Sequence, residues 1–381
     1  MMCREGRRIY LDHAAGAPLL EAAREAWLEA AREIGNPSSV HGFGRAARRL
    51  LEEAREALAC RLGVHPARIV WTSGGTEANN LALAQAGDRP ALVSAIEHPS
   101  VLEAAPGAVR IPVTAAGIVD LDALERLLAT LRPALVSVMW ANNETGILQP
   151  IAEVAERCRR FGARLHIDAV QAAAGHPLAI DALGIAYLSL SAHKIGGPPG
   201  IGLLVVPEGE VLVPLLRGGG QERGRRAGTE NVAAACAFRA ALEAADAAQA
   251  RRLAALRDEL ESRLLARCPE AVVVGRTAPR VPHISCIAYP GAPAELQVMA
   301  LDLEGIAVSA GSACSSGKVR RSPVLEAMGL APEIAGCAIR VSLGPGTDRD
   351  QLEAFLEAWL RCVPPLAREA VPLAETQLRT T

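Results

Sequence analysis

Ser191-Ala192-His193-Lys194 leads directly into Gly196, Gly197, Pro198, Pro199 and Gly200. The segment before it, Ala186 to Leu190, is apolar and predicts a buried strand. A lysine between a buried strand and a glycine–proline loop needs a reason, because desolvating an ammonium is costly. Condensation with an aldehyde into a Schiff base is one such reason, since it removes the fixed charge. Asp168 closes a second apolar run, Arg164 to Ile167. An aspartate facing a pyridinium nitrogen is the second part that pyridoxal phosphate chemistry requires.

The third part is an anion site. Arg68-Ile69-Val70-Trp71-Thr72 predicts a strand, and Glu77 to Gln85 predicts a helix, with Ser73-Gly74-Gly75-Thr76 between them. Strand, glycine turn and helix together aim free backbone N–H groups at a phosphate. Lysine, aspartate and cradle on one alternating strand–helix background point to a pyridoxal 5'-phosphate enzyme.

Seven blocks then carry a resemblance. They are SGGTEANN (73–80), IEHPSVL (96–102), ANNETG (141–146), HIDAVQA (166–172), SAHK (191–194), GGGQERGRRAGTEN (218–231) and GSACSSG (311–317). In this order, spread between Tyr10 and Arg361, the chain resembles the cysteine desulfurases of the NifS and IscS type, in the class V aminotransferase family. GSACSSG favours desulfurase over a related aminotransferase or lyase. The resemblance implies fold type I of the pyridoxal phosphate enzymes, an α/β fold. It has a large, mixed, mostly parallel seven-stranded sheet domain and a smaller α+β domain. The boundaries predicted are 15–255 for the large domain, 1–14 and 256–362 for the small one, and 363–381 for a C-terminal tail.

The resemblance also implies roles. Lys194 holds the cofactor and moves the Cα proton, and Asp168 keeps the pyridine nitrogen protonated. His98 lies against the cofactor ring, where it can also take the substrate thiol proton. Gln171 and Asn143 bind the phenolic oxygen, although spacing alone does not separate Asn143 from Asn142. Gly75, Thr76, Ser191 and His193 bind the phosphate. Thr229 reaches the phosphate of an opposite subunit, which implies a homodimer. Arg340, with Asn143, binds the substrate carboxylate, a task suited to guanidinium geometry. The Cys314 thiolate takes sulfur from L-cysteine, leaving alanine and a persulfide for an acceptor protein such as an iron–sulfur scaffold, or for tRNA thiolation. No resident metal is implied, Cys314 serving at most as a transient iron–sulfur ligand. A selenocysteine lyase or aminotransferase of the same fold is the alternative, to be separated by selenide, sulfide and keto-acid production. A non-catalytic cofactor-binding partner would need none of Lys194, His98, Cys314 and Arg340.

Departures cluster away from these roles. His13 stands where asparagine is usual, Gly16-Ala17 replaces a threonine pair, and Gly197 and Pro199 follow the lysine. Arg320, Arg321 and Pro323 alter the flank of the cysteine loop, where an acceptor would dock.

The positioning elements follow from pattern. Strands are predicted at 91–95, 109–113, 134–140, 164–167, 186–191 and 202–206, and helices at 121–131 and 151–161, so binding groups should gather at strand C-termini. Residues 232–267 predict one or two long helices linking two domains. At 381 residues, two domains are the prior. A net charge of −2 provides no drive toward nucleic acid or anionic membrane. No apolar run is long enough to span a bilayer, and Met1 to Arg8 lacks a signal-peptide core, so a cytoplasmic protein is expected. Nine cysteines without a CxxC pair predict neither a zinc site nor a disulfide framework. Cys60, Cys158 and Cys236 fall in helical patterns and are expected to be packed. Cys314 sits in a serine–glycine loop suited to a reactive thiol.

Overall fold

The computed structural model describes residues 8–172, 179–311 and 321–370. A short strand, β1 (Ile9–Tyr10), comes first. Seven strands then form one sheet: β2 (Ile69–Thr72), β3 (Ala91–Ser94), β4 (Val109–Ile111), β5 (Leu135–Met139), β6 (Arg164–Asp168), β7 (Tyr187–Ser191) and β8 (Gly202–Val205). Their order is β2-β8-β7-β6-β5-β3-β4. The block from β4 to β7 is parallel, while β8 runs against both β7 and β2.

β3, β5 and β7 are buried at every residue, as expected of a sheet covered on both faces. Alternate side chains enter different cores. Leu92, Val136, Ile167, Leu188 and Leu203 pack with Leu58, Leu128, Val154 and Phe238. Val93, Leu135, Tyr187 and Leu204 pack with Leu81 on the opposite face. The helix Leu121–Leu131 starts where Asp120 accepts the N–H groups of Asp122 and Ala123. The helix Ile151–Phe161 ends at Gly162, whose φ of 69° suits a left-handed cap.

After two consecutive helices, Val232–Glu243 and Ala247–Arg267, the chain builds a smaller sheet. Its strands are β9 (Val272–Val274), β10 (Ile284–Ala288), β12 (Ser309–Ala310) and β13 (Ala338–Ser342), ordered β12-β13-β10-β9 and antiparallel. The intervening β11 (Ile306–Ala307) pairs in parallel with β1. The N-terminal segment is thereby tied to the last third of the chain.

Two expectations are corrected. Residues 363–370 do not leave the fold as a tail, because the last helix, Arg349–Ala370, runs through Pro364 and Pro365. Its apolar stripe of Leu352, Phe355, Leu356, Trp359 and Val363 keeps helical spacing, and Val363 is fully buried. The carbonyls that lose a proline N–H partner, those of Leu360 and Arg361, lie where the helix is partly exposed. Cys60 is exposed rather than packed. Leu51, Ala54, Leu58 and Leu62 define the buried face of its helix, and Cys60 falls on the other side. Among the described residues, no helix is long and apolar enough to cross a membrane.

Candidate active site

The C-terminal ends of five strands converge on one edge of the large sheet, the usual place for a ligand in such a sheet. β2 leads into the helix Gly75–Ala84, β3 into His98, β5 into Asn142 and Asn143, β6 into Gln171 from Asp168, and β7 into His193 and Lys194. β8 begins at the same edge and passes so close that a Cβ on Gly202 would stand 2.7 Å from the Gly74 backbone and from the Leu190 carbonyl oxygen. Only glycine allows that approach.

Lys194 Nζ donates to the carbonyl oxygens of Ala14 at 2.7 Å and Ala15 at 2.9 Å. Gln171 Nε2 donates to the same Ala14 oxygen at 2.9 Å. The N-terminal segment thus brings the ends of β6 and β7 together. The Asp168 carboxylate is buried and accepts from Asn79 Nδ2 at 2.7 Å and from the Val170 N–H at 3.0 Å. Burial raises its pKa, and those two donors, then His98 and Lys194, pull the other way. Burial lowers the pKa of His98, with Asp168 opposing and Lys194 adding to the effect. Next to it, Glu97 is pushed well above the usual carboxyl range by burial and then by the Asp168 charge. Its Oε1 accepts the Met139 N–H at 2.5 Å.

The anion cradle is present as geometry. No side chain caps the start of the helix Gly75–Ala84. Ser191 lies against that start: its Cβ would be 3.6 Å from a Cβ on Gly75. Ser191 Oγ also meets His193 Nδ1 at 2.8 Å. Burial, and then the Lys194 charge, lower His193 to about 4, so it is neutral at pH 7. Thr76 is exposed at the helix start. A lysine amine, a buried carboxylate and an uncapped helix start beside two further polar side chains fit pyridoxal 5'-phosphate, which needs a partner for its aldehyde, ring nitrogen and phosphate respectively.

The small sheet contributes Arg340. Its side chain is buried. One Nη donates to Asp12 Oδ1 at 2.8 Å and the other to the Asn143 carbonyl oxygen at 2.9 Å. Asp12 Oδ2 accepts from Ser309 Oγ at 3.0 Å, and Ser309 faces Arg340 across the β12–β13 pair. Asn142 and Asn143 are now distinct. The Asn142 side chain is fully engaged, accepting from the Glu144 and Thr145 N–H groups and the Thr145 hydroxyl, and donating to the Ile96 carbonyl. No side-chain partner holds Asn143 among the described residues, and it is half-buried.

Not every expected residue joins this cluster. Thr229 is exposed. Cys314, with Lys318 and Arg320, lies outside the described residues. His13 is turned away from that chemistry, with Nδ1 3.2 Å from the Ser342 carbonyl oxygen and its ring pressed on Gly344. Sequence reasoning missed Asn79, Asp12 and Glu97. Asn79 had a signal, as a polar residue sharing the buried helix face of Ala78, Leu81 and Ala82. Asp12 had none, because its partner is 328 positions away.

Comparison with known proteins agrees over nearly the whole chain. Residues 9–355 match the family model described as aminotransferase class-V. A cysteine desulfurase of Cereibacter sphaeroides is 42% identical, over 96% of this chain and 99% of that protein. An IscS-like cysteine desulfurase of Mycobacterium tuberculosis is 39% identical, over 96% and 98%. Among solved structures, a NifS-like protein from Rickettsia africae superposes with a TM-score of 0.86 at 35% identity, covering 93% of this chain and 99% of that one.

Proposed function

This chain belongs to the class-V aminotransferase family, among its cysteine desulfurases, and from that premise we propose how its residues divide the work. It is a pyridoxal 5'-phosphate-dependent enzyme that removes sulfur from L-cysteine. When bound, the cofactor withdraws electrons from the substrate carbons, which makes the carbon–sulfur bond breakable.

Lys194 holds the cofactor and moves the proton at the substrate Cα. Asp168 partners the ring nitrogen, Gln171 and Asn143 the phenolic oxygen, and His98 the ring. Gly75, Thr76, Ser191 and His193 hold the phosphate, with Thr229 supplied by the second subunit of a homodimer. Arg340 and Asn143 hold the substrate carboxylate. The Cys314 thiolate then attacks the substrate sulfur: a sulfur–sulfur bond forms, the carbon–sulfur bond breaks, and alanine leaves. An acceptor protein such as an iron–sulfur scaffold takes the persulfide sulfur in the cytoplasm. Residues 15–255 would form the cofactor-binding domain, and residues 1–14 with 256–362 the smaller one.

The observation that supports this reading is the meeting of Lys194, Gln171 and Arg340 through the Asp12–Ala15 segment, with the buried Asp168 carboxylate three residues before Gln171. The test is the purified protein loaded with cofactor and given cysteine. It should release alanine and carry a protein persulfide. Lys194→Ala should lose both, along with borohydride-reducible attachment of cofactor. Cys314→Ser should keep full cofactor and lose the persulfide. Keto acid as the main product would favour an aminotransferase, and strong preference for selenocysteine a lyase.

A further inference from the structure

Among the described residues His98 meets the protein through one ring nitrogen, and the partners of that nitrogen settle what the ring can do. His98 caps the short helix Pro99–Leu102, and its Nδ1 accepts the Ser100 backbone N–H at 3.1 Å. Ser100 Oγ lies 2.8 Å from the same Nδ1. That Oγ accepts from Asn79 Nδ2 at 2.9 Å, and the same amide nitrogen donates to Asp168 Oδ2 at 2.7 Å. The two hydrogens of the Asn79 amide are thus both placed. Asn79 cannot turn over without setting its carbonyl oxygen against the Asp168 carboxylate. Asn79 is 1% exposed and Ser100 9% exposed, so solvent does not take over these bonds.

A backbone N–H can only donate. The Ser100 hydroxyl, already accepting from Asn79, has one hydrogen of its own to place, and Nδ1 is the acceptor beside it. Two donors therefore converge on Nδ1, which must present its lone pair. A neutral imidazole carries one hydrogen, and here it has to sit on Nε2.

The geometry points to an Asp168–Asn79–Ser100 chain that holds His98 as its Nε2–H tautomer, so that His98 offers a hydrogen to the reacting groups and does not accept the substrate thiol proton. Asn79 and Ser100 are then positioning residues. The catalytic meaning rests on the function proposed above, whereas the tautomer itself does not. The result departs from the proton-accepting role that the family resemblance implies for this histidine. That role needs an open lone pair at Nε2, and the Ser100 N–H takes away the tautomer that would have one.

The test is ¹⁵N spectroscopy of the cofactor-loaded enzyme with labelled histidine, the His98 signals being assigned by their loss in His98→Gln. With the ring neutral, Nε2 should give the N–H type of shift and Nδ1 the lone-pair type. A hydrogen on Nδ1 would overturn the inference. Ser100→Ala removes one of the two donors and should move the tautomer ratio about fivefold toward Nδ1–H, the effect of one net hydrogen bond. An unchanged ratio in that variant would take Ser100 out of the chain. The wild-type spectrum decides the matter by itself if the variant does not fold. Alanine release is measured on the same samples. Normal release with hydrogen on Nδ1 sinks only this inference, and absent release with hydrogen on Nε2 sinks only the function.

Discussion

Arg280 and Arg340 both belong to the part of the chain that builds the small sheet, and both are buried against a carboxylate, yet the two pairs are made differently. The two terminal nitrogens of Arg280 take the two oxygens of Glu261 at 2.6 and 2.8 Å, and Ser285 Oγ adds a third donor at 2.7 Å. Arg340 gives Asp12 a single bond at 2.8 Å and spends its other terminal nitrogen on the Asn143 carbonyl oxygen. Its Nε is buried with no partner among the described residues.

In the Arg280 fork both terminal nitrogens face the two oxygens of one carboxylate, so the pair is closed on itself. Arg340 retains donors after its protein partners are satisfied, since a guanidinium carries five N–H groups. The same contrast extends across the site. Lys194 is held by neutral carbonyl oxygens of Ala14 and Ala15, which lose little if the amine changes its charge or its bonding. Arg340 faces the Asp12 carboxylate at 2.8 Å, which fixes its direction. In the roles proposed above, one side of the site is arranged for a group that reacts, and the other for a group that stays.

The largest expected effect comes from breaking the closed pair. Glu261→Ala leaves the Arg280 charge buried and alone, and should cost about 3–5 kcal/mol of unfolding stability. Cysteine KM should stay within about twofold. Urea unfolding of the cofactor-loaded protein reads this directly, and a loss near zero would mean that the two arginines do not differ as described. Arg340→Ala should show the reverse profile. Cysteine KM should rise roughly thirtyfold, the scale of losing a charge-assisted clamp, with cofactor content unchanged. An unaltered KM would remove Arg340 from substrate binding.

The comparison also marks what was legible in the sequence. The strands at 135–139, 164–168 and 187–191 could be read because strands buried on both faces leave unbroken apolar runs. The helices 121–131 and 151–161 were legible to the residue because Asp120 and Gly162 mark their ends chemically. Lys194 and Asp168 stood out as charges at the ends of such strands. Asp12 did not, since a pair formed between β1's extension and β13 leaves no local trace. Asn79 shares the buried helix face of Ala78, Leu81 and Ala82, a signal in the spacing that does not name its partners Asp168 and Ser100. The choice between Asn142 and Asn143 needed the turn that consumes the Asn142 amide. The helix continuing through Pro364 was hidden because proline is read as a stop, while Val363 holds the helix by packing that only the fold reveals.

Asp12→Asn asks whether the single bond to Arg340 serves the substrate. Asparagine keeps the shape and an acceptor but removes the charge, so a loss of about 1 kcal/mol in cysteine binding is expected, with kcat little changed. Tighter cysteine binding in this variant would mean that Asp12 competes with the substrate carboxylate, and the positioning argument would fail.

The smallest effect concerns Glu144, a second carboxyl within the field of Arg340 but not hydrogen-bonded to it. Its Oε2 accepts from Ser322 Oγ at 2.5 Å, and the carboxylate fills the space a Cβ on Gly311 would need. It therefore sits between the described residues on either side of the 312–320 segment. Burial raises its pKa, with the Ser322 hydroxyl and the Arg340 charge opposing. A folded pKa above the unfolded value of 4.5 means that the native state holds this proton more tightly. The associated stability is present below that value and is lost as pH rises through the folded pKa. Glu144→Gln keeps an acceptor for Ser322 and has no proton to lose. Its stability relative to wild type should therefore improve as pH rises, by under about 1 kcal/mol. Urea midpoints of the two proteins at pH 5 and pH 8 measure the trend. A difference that stays flat or shrinks would show the carboxylate ionised throughout. Arg340 would then be neutralised from two sides, leaving it no more open than Arg280.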